Sequence, residues 1–195
     1  MGRPRQFDPD TAVTDAMEAF WDLGYEGASA AVLEEHMGIG RSSLYATFGS
    51  KDELYAAAMD RYLEDLRKRV ITGLRADGPA LDVLQSFFHR VTRRGEPGGE
   101  PLRCCMIVRS CATGTTASPA IARLVERAIA ELDDAFHDLL LRARHEGTLR
   151  ARGSLRGLAR LLTTTFQGLN IAANAGRSRR ELQSITRATL DLLEA

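Results

Sequence analysis

Apolar side chains return every three or four residues along almost the whole chain, and nowhere do they alternate at two. From Asp10 the series Val13, Ala16, Met17, Phe20 and Leu23 lays one greasy stripe along a helix, with Gly24 as its stop. Val32, Leu33 and Met37 mark a short second helix, and the stretch Arg41 to Phe48 a short third. A longer helix starts near Lys51 and runs through Leu54, Ala58, Tyr62, Leu66 and Val70 to about Leu74, where "ADGP" breaks it. Pro79 opens the next, with Leu81, Leu84, Phe87, Phe88 and Val91, and "GEPGGEP" is a loop that cannot sustain a helix. Ser118–Pro119 starts a long helix through about Glu146, and Ser178 with Glu181 forms a capping box for the last. β-branched residues are scattered, so no strand is expected. The pattern predicts an all-α chain of about nine helices: a head of three, a connecting fourth and a body of five.

Composition sets limits on function. Lys plus Arg and Asp plus Glu both number 26, so any nucleic-acid-binding surface has to be local. No run of about 18 apolar residues occurs, and "MGRPRQFDPD" has no apolar core behind its basic start, which predicts a cytoplasmic protein with no membrane partner. Cys104, Cys105 and Cys111 are an odd number within eight positions and lack zinc-ligand spacing; reduced thiols are expected, not disulfides or a structural metal.

Two short helices joined at "MGIGR" have the form of a helix-turn-helix, whose second helix lies in the DNA major groove. In that helix Leu44 and Phe48 are four apart and face inward. Arg41, Ser42, Ser43, Tyr45, Ala46 and Thr47 are left to form an outer surface of small and hydroxylated side chains, which lets a backbone approach base edges. Arg41 can donate twice to a guanine, the hydroxyls can meet bases or phosphates, and Tyr45 reaches a phosphate oxygen. Lys51 adds a cation at the next helix N-terminus, where backbone N–H groups attract anions. Arg3 and Arg5 flank a proline in an extended arm of the kind that enters a minor groove.

Over residues 1–50 the three basic side chains Arg3, Arg5 and Arg41 face eight acids: Asp8, Asp10, Asp15, Glu18, Asp22, Glu26, Glu34 and Glu35. A groove-binding head therefore has to turn most of its acids away from DNA. Read by periodicity alone, the same segment also fits a core helix with a solvated face, in a helical interaction protein that binds no DNA.

The stretch "FDPDTAVTDAMEAFWDLGYEGASAAVLEEHMGIGRSSLYATFGSKDELYAAAMDRY" resembles the N-terminal domain of the TetR (TetR/AcrR-type) family of transcriptional regulators, through "AFWDLGYEG", the turn glycine and "SLYATFGSK". The resemblance implies a dimeric repressor with a DNA-binding head at residues 1–50 and an effector-binding and dimerisation body at 51–195. Its partners would be double-stranded operator DNA, a small-molecule effector and a second copy of the chain, with no cofactor. By position it assigns DNA contacts to Ser29, Ser42, Ser43, Tyr45, Thr47 and Lys51. Two positions depart from the pattern: Ala28 replaces a common threonine, and Gly40 the usual serine cap of the recognition helix.

In the body, "PLRCCMIVRSCATG" resembles a cysteine-bearing segment of one branch of these regulators, with Cys105 the nearest positional match. An arginine at 103 or 109 would lower a thiol pKa and make it reactive toward electrophiles or oxidants; a buried, inert cysteine is the plainer alternative. Phe87, Phe88, Met106, Phe136 and Phe166, with Arg109, His137, Gln167 and Asn170 for polar contacts, are candidates for an apolar effector pocket, or for core packing. Asp133, His137 and His89 do not amount to a metal site, and Cys105 with a histidine lacks an oxyanion-site signature, so the enzyme reading stays an alternative. Leu158, Leu161, Leu162, Phe166 and Leu169, then Leu182, Ile185, Leu190 and Leu193, with "NIAANAG" between them, fit two helices of a dimer interface.

Overall fold

The computed structural model describes residues 7–93, 103, 105–112 and 118–194. Among them all regular structure is helical, in nine helices if the π-helical continuation of the fourth is counted with it. These are α1 (Pro9–Gly27), α2 (Ala30–Met37), α3 (Arg41–Phe48), α4 (Lys51–Leu66, continued by Arg67–Ile71 and Thr72–Leu74), α5 (Ala80–Val91), α6 (Met106–Ala112), α7 (Pro119–His145), α8 (Leu155–Asn174) and α9 (Arg179–Glu194). No helix among the described residues is long and apolar enough to cross a membrane.

Contacts divide the chain into two units, one of residues up to Asp65 with Met106–Val125, the other of Leu66–Cys105 with Glu126 onward. In the first, α1 starts with Pro9 in its first turn and Asp8 as N-cap, accepting from the Asp10 N–H at 3.2 Å. Ala12, Ala16, Met17, Ala19 and Phe20 form its buried face. Gly24 interrupts the regular helix where the sequence placed its stop. Its φ is +76°, and the chain makes one more turn to Gly27, which leaves Leu23 46 % exposed instead of inside. At the head of α4, the Ser50 N–H donates to Glu53 Oε2 at 2.8 Å and the Glu53 N–H to Ser50 Oγ at 3.2 Å, a reciprocal cap.

In the second unit the fourth helix widens into a π-helical turn at Arg67–Ile71, which buries the adjacent Val70 and Ile71 together. Arg67 grips Glu131 of α7 with two parallel bonds, 2.6 Å from Nε and 3.0 Å from Nη2, and holds that carboxyl below its ordinary pKa. Pro79 sits at the N-cap of α5, one place earlier than a first-turn proline. The freed Ala80 N–H donates to Glu146 Oε2 at 2.9 Å. The α9 capping box forms: the Ser178 N–H donates to Glu181 Oε2 at 2.9 Å, which lowers the Glu181 pKa. The core of this unit is a ring cluster, with Phe87 5.2 Å from Phe88, 5.5 Å from Phe136 and 5.4 Å from Phe166 between centroids.

Candidate nucleic-acid interface

Two glycines and one serine shape the turn between α2 and α3. Ser29 caps α2, its hydroxyl accepting from the Val32 N–H at 3.4 Å; the hydroxyl proton stays available to an outside acceptor. Gly38 ends α2 in the left-handed region, φ +63°, where a side chain would be strained. Ile39 turns inward, and Gly40 then starts α3 without a side-chain cap bond.

In α3 only Leu44 is fully buried, at 1 % exposure. Arg41, Ser42, Ser43 and Ala46 are exposed, and Tyr45 and Thr47 are half-exposed. The hydroxyls of Ser42, Ser43 and Thr47 make no hydrogen bond among the described residues, so they are free to meet a ligand. The Arg41 guanidinium lies 5.9 Å over the Tyr45 ring, one turn along the same face. Phe48 differs from its inward expectation: it is half-buried, because the third helix ends there and Gly49 turns the chain away.

Lys51 stands at the first position of α4, its Nζ 4.3 Å from the centroid of the Tyr25 ring. The Tyr25 hydroxyl donates to the Asp52 carboxylate, and burial, reinforced by that bond, pushes the phenol up to about 12. Tyr25 also packs edge-on against Tyr55, at 5.1 Å, and stacks toward Phe20, at 6.3 Å. The ammonium is thus carried on an aromatic platform rooted in the head's core. Sequence reasoning missed Tyr25, Ser50 and Glu53. Ser50–Glu53 has the same serine-to-glutamate spacing that was legible at Ser178–Glu181, whereas nothing in the local pattern links Tyr25 to Lys51.

Among the head's acids, Asp8 caps α1 and Asp10 lies 3.6 Å from Arg61. Arg3 and Arg5 lie outside the described residues.

The effector candidates separate. Phe88, Phe136 and Phe166 meet in the ring cluster, fully buried. Asn170, also buried, donates Nδ2 to the Phe166 carbonyl at 2.7 Å, within its own helix. His137 is half-buried, its Nδ1 3.9 Å from Asp138. Cys105 and Met106 are buried, Cys111 is exposed, and Cys104 lies outside the described residues. Arg109 lies in the first unit, its Nη1 donating to the Asp22 carbonyl at 3.1 Å. An open groove of about 390 Å³ runs between α5 and α9, lined by Gln85, His89, Arg187, Asp191 and their neighbours; none of the sequence-derived effector candidates lines it.

Residues 13–58 match the family model described as "Bacterial regulatory proteins, tetR family". Over 196 residues, all of both chains, the protein is 33 % identical to the uncharacterized HTH-type transcriptional regulator YezE of Bacillus subtilis (strain 168). It is 30 % identical to the HTH-type transcriptional repressor ComR of Escherichia coli (strain K12), over 98 % of this chain and 91 % of that one. Among solved structures it resembles a triple cysteine mutant of the TetR family transcriptional regulator CifR in complex with 26-bp operator DNA. The identity there is 32 % and the TM-score 0.83, over 98 % of this chain and 100 % of that one.

Proposed function

Because the chain belongs to the TetR family of transcriptional regulators, we propose that it is a repressor that holds a palindromic operator and releases it on a small-molecule, electrophile or oxidant signal. The observation that carries this reading is the outer face of α3: one buried leucine underneath, and above it Arg41, Ser42, Ser43, Tyr45 and Thr47 with their hydroxyls unspent. Such a face can enter a major groove closely, Arg41 addressing a guanine edge and the hydroxyls addressing bases and phosphates. Ser29, at the start of α2, and Lys51, at the start of α4, would bind the phosphate backbone on either side, and Arg3 and Arg5 the adjacent minor groove.

In this proposal residues 1–50 read DNA, and residues 51–195 bind the effector and dimerise. Exposed Leu161 and Ile171 on α8 and Ile185 and Leu192 on α9 form apolar surface that a second copy would cover. The two recognition helices of such a dimer fall about one helical turn of DNA apart, or a multiple of it. The effector would act near Phe88, Phe136, His137, Phe166 and Asn170 of the second unit, or on the Cys105 thiol. It lowers DNA affinity by the factor with which DNA lowers its own.

Selection of bound duplexes from random DNA by the purified protein tests the reading. Enrichment of an inverted repeat is expected. Indiscriminate binding erased by moderate salt would refute it.

A further inference from the structure

The two halves of the first unit are joined by a contact that the operator-reading face does not account for. α6 lies outside the N-terminal segment, yet its Arg109 packs on the break in α1: a Cβ at Gly24 would sit 3.5 Å from Arg109 Cδ and 3.5 Å from Nη1. Nη1 donates to the Asp22 carbonyl at 3.1 Å, two residues before the break. Carbonyls beside an interrupted helix lose their regular partners, and a guanidinium is a strong substitute. The residue just after the break is Tyr25, whose ring carries the Lys51 ammonium and whose hydroxyl holds Asp52. Arg109 also faces Tyr55, the edge-on neighbour of Tyr25, where its charge opposes the upward shift that burial gives the Tyr55 phenol. One side chain of α6 thus spans the bend that precedes the ring beneath Lys51.

Resting on the operator-binding reading above, we propose that Arg109 is a positioning residue of the DNA-binding head. By bonding the Asp22 carbonyl across the Gly24 break it sets Tyr25, and through Tyr25 the place of Lys51.

The test uses the full-length protein and the duplex recovered by selection, with affinity read by fluorescence anisotropy. Arg109→Met keeps the apolar stem against Gly24 and removes the donors; its affinity should fall about tenfold, and Arg109→Lys should recover most of the loss. In a Lys51→Ala background the same Arg109→Met change should cost less than about twofold, because the residue it positions is gone. Wild-type affinity in Arg109→Met, or the full tenfold cost persisting without Lys51, overturns the proposal. Independently of DNA, amides of residues 24–28 should exchange faster in Arg109→Met while those of α9 do not, and unchanged exchange there also overturns it. A wild-type protein that selects no sequence removes the operator-binding reading itself, a failure seen before any variant is made.

Discussion

Replacing Tyr25 with leucine removes the ring beneath Lys51 and leaves the lysine itself in place. An exposed cation–π contact amounts to about 0.5–1 kcal/mol, and a freed lysine regains up to about 2 kcal/mol of rotamer entropy that DNA binding must then remove again. Taking about 0.7 kcal/mol for each head, a dimer loses about 1.4 kcal/mol, or about tenfold in operator affinity. Tyr25→Phe keeps the platform and should stay within about threefold of wild type. Salt dependence separates this effect from loss of a charge. On the proposed reading Lys51 meets one phosphate per head, two per dimer, so Lys51→Ala should lower the slope of log affinity against log salt by about 1.8. Tyr25→Leu should lower the affinity with that slope intact. The assay is anisotropy titration at several salt concentrations, below the melting range, since Tyr25→Leu also loses ring contacts to Phe20 and Tyr55. Equal affinity in Tyr25→Leu and wild type, or a slope reduced as in Lys51→Ala, refutes the platform argument.

Leu44→Ala should destabilise the head by about 2–5 kcal/mol in thermal or urea melts, and Phe48→Ala, half-exposed, by roughly half as much; the reverse order would contradict the packing of α3. Glu131, held low first by its hydrogen bond from Arg67, adds stability above its unfolded value of 4.5 and loses it as pH falls through the folded value, so Glu131→Gln should flatten the acid limb of a melting-point-against-pH curve, and an unchanged limb would count against the pair. Cys105→Ser should abolish operator release by N-ethylmaleimide, whereas release that persists when Cys104, Cys105 and Cys111 are all serine rules out thiol sensing. Leu161→Glu with Ile185→Glu should shift sedimentation from dimer to monomer, and a persistent dimer would move the interface elsewhere.

Much of the architecture is local in origin and was therefore readable from residue order. The apolar period of α1 to α5 and of α7 to α9, the capping box at Ser178 and the glycine turn at Gly38 all rest on interactions within about four residues, and these leave a repeat or a spacing in the chain. The polar ridge of α3 was legible for the same reason, since burying Leu44 fixes which side chains face outward. The helical break at Gly24 was legible only as punctuation. What packs against that break, Arg109, left no local mark.

Folding alone decided the partners. Tyr25 and Asp52 are 27 residues apart, Arg67 and Glu131 64, and Asp22 and Arg109 87. An arginine in the sequence is equally suited to an anionic ligand, a carboxylate or a backbone carbonyl. Its own neighbours carry no trace of which one the fold brings within hydrogen-bonding distance. The helices and the exposed polar face of α3 were thus set by the residue order, while the ring beneath Lys51 and the partner of Arg109 were set by packing that brings distant residues together.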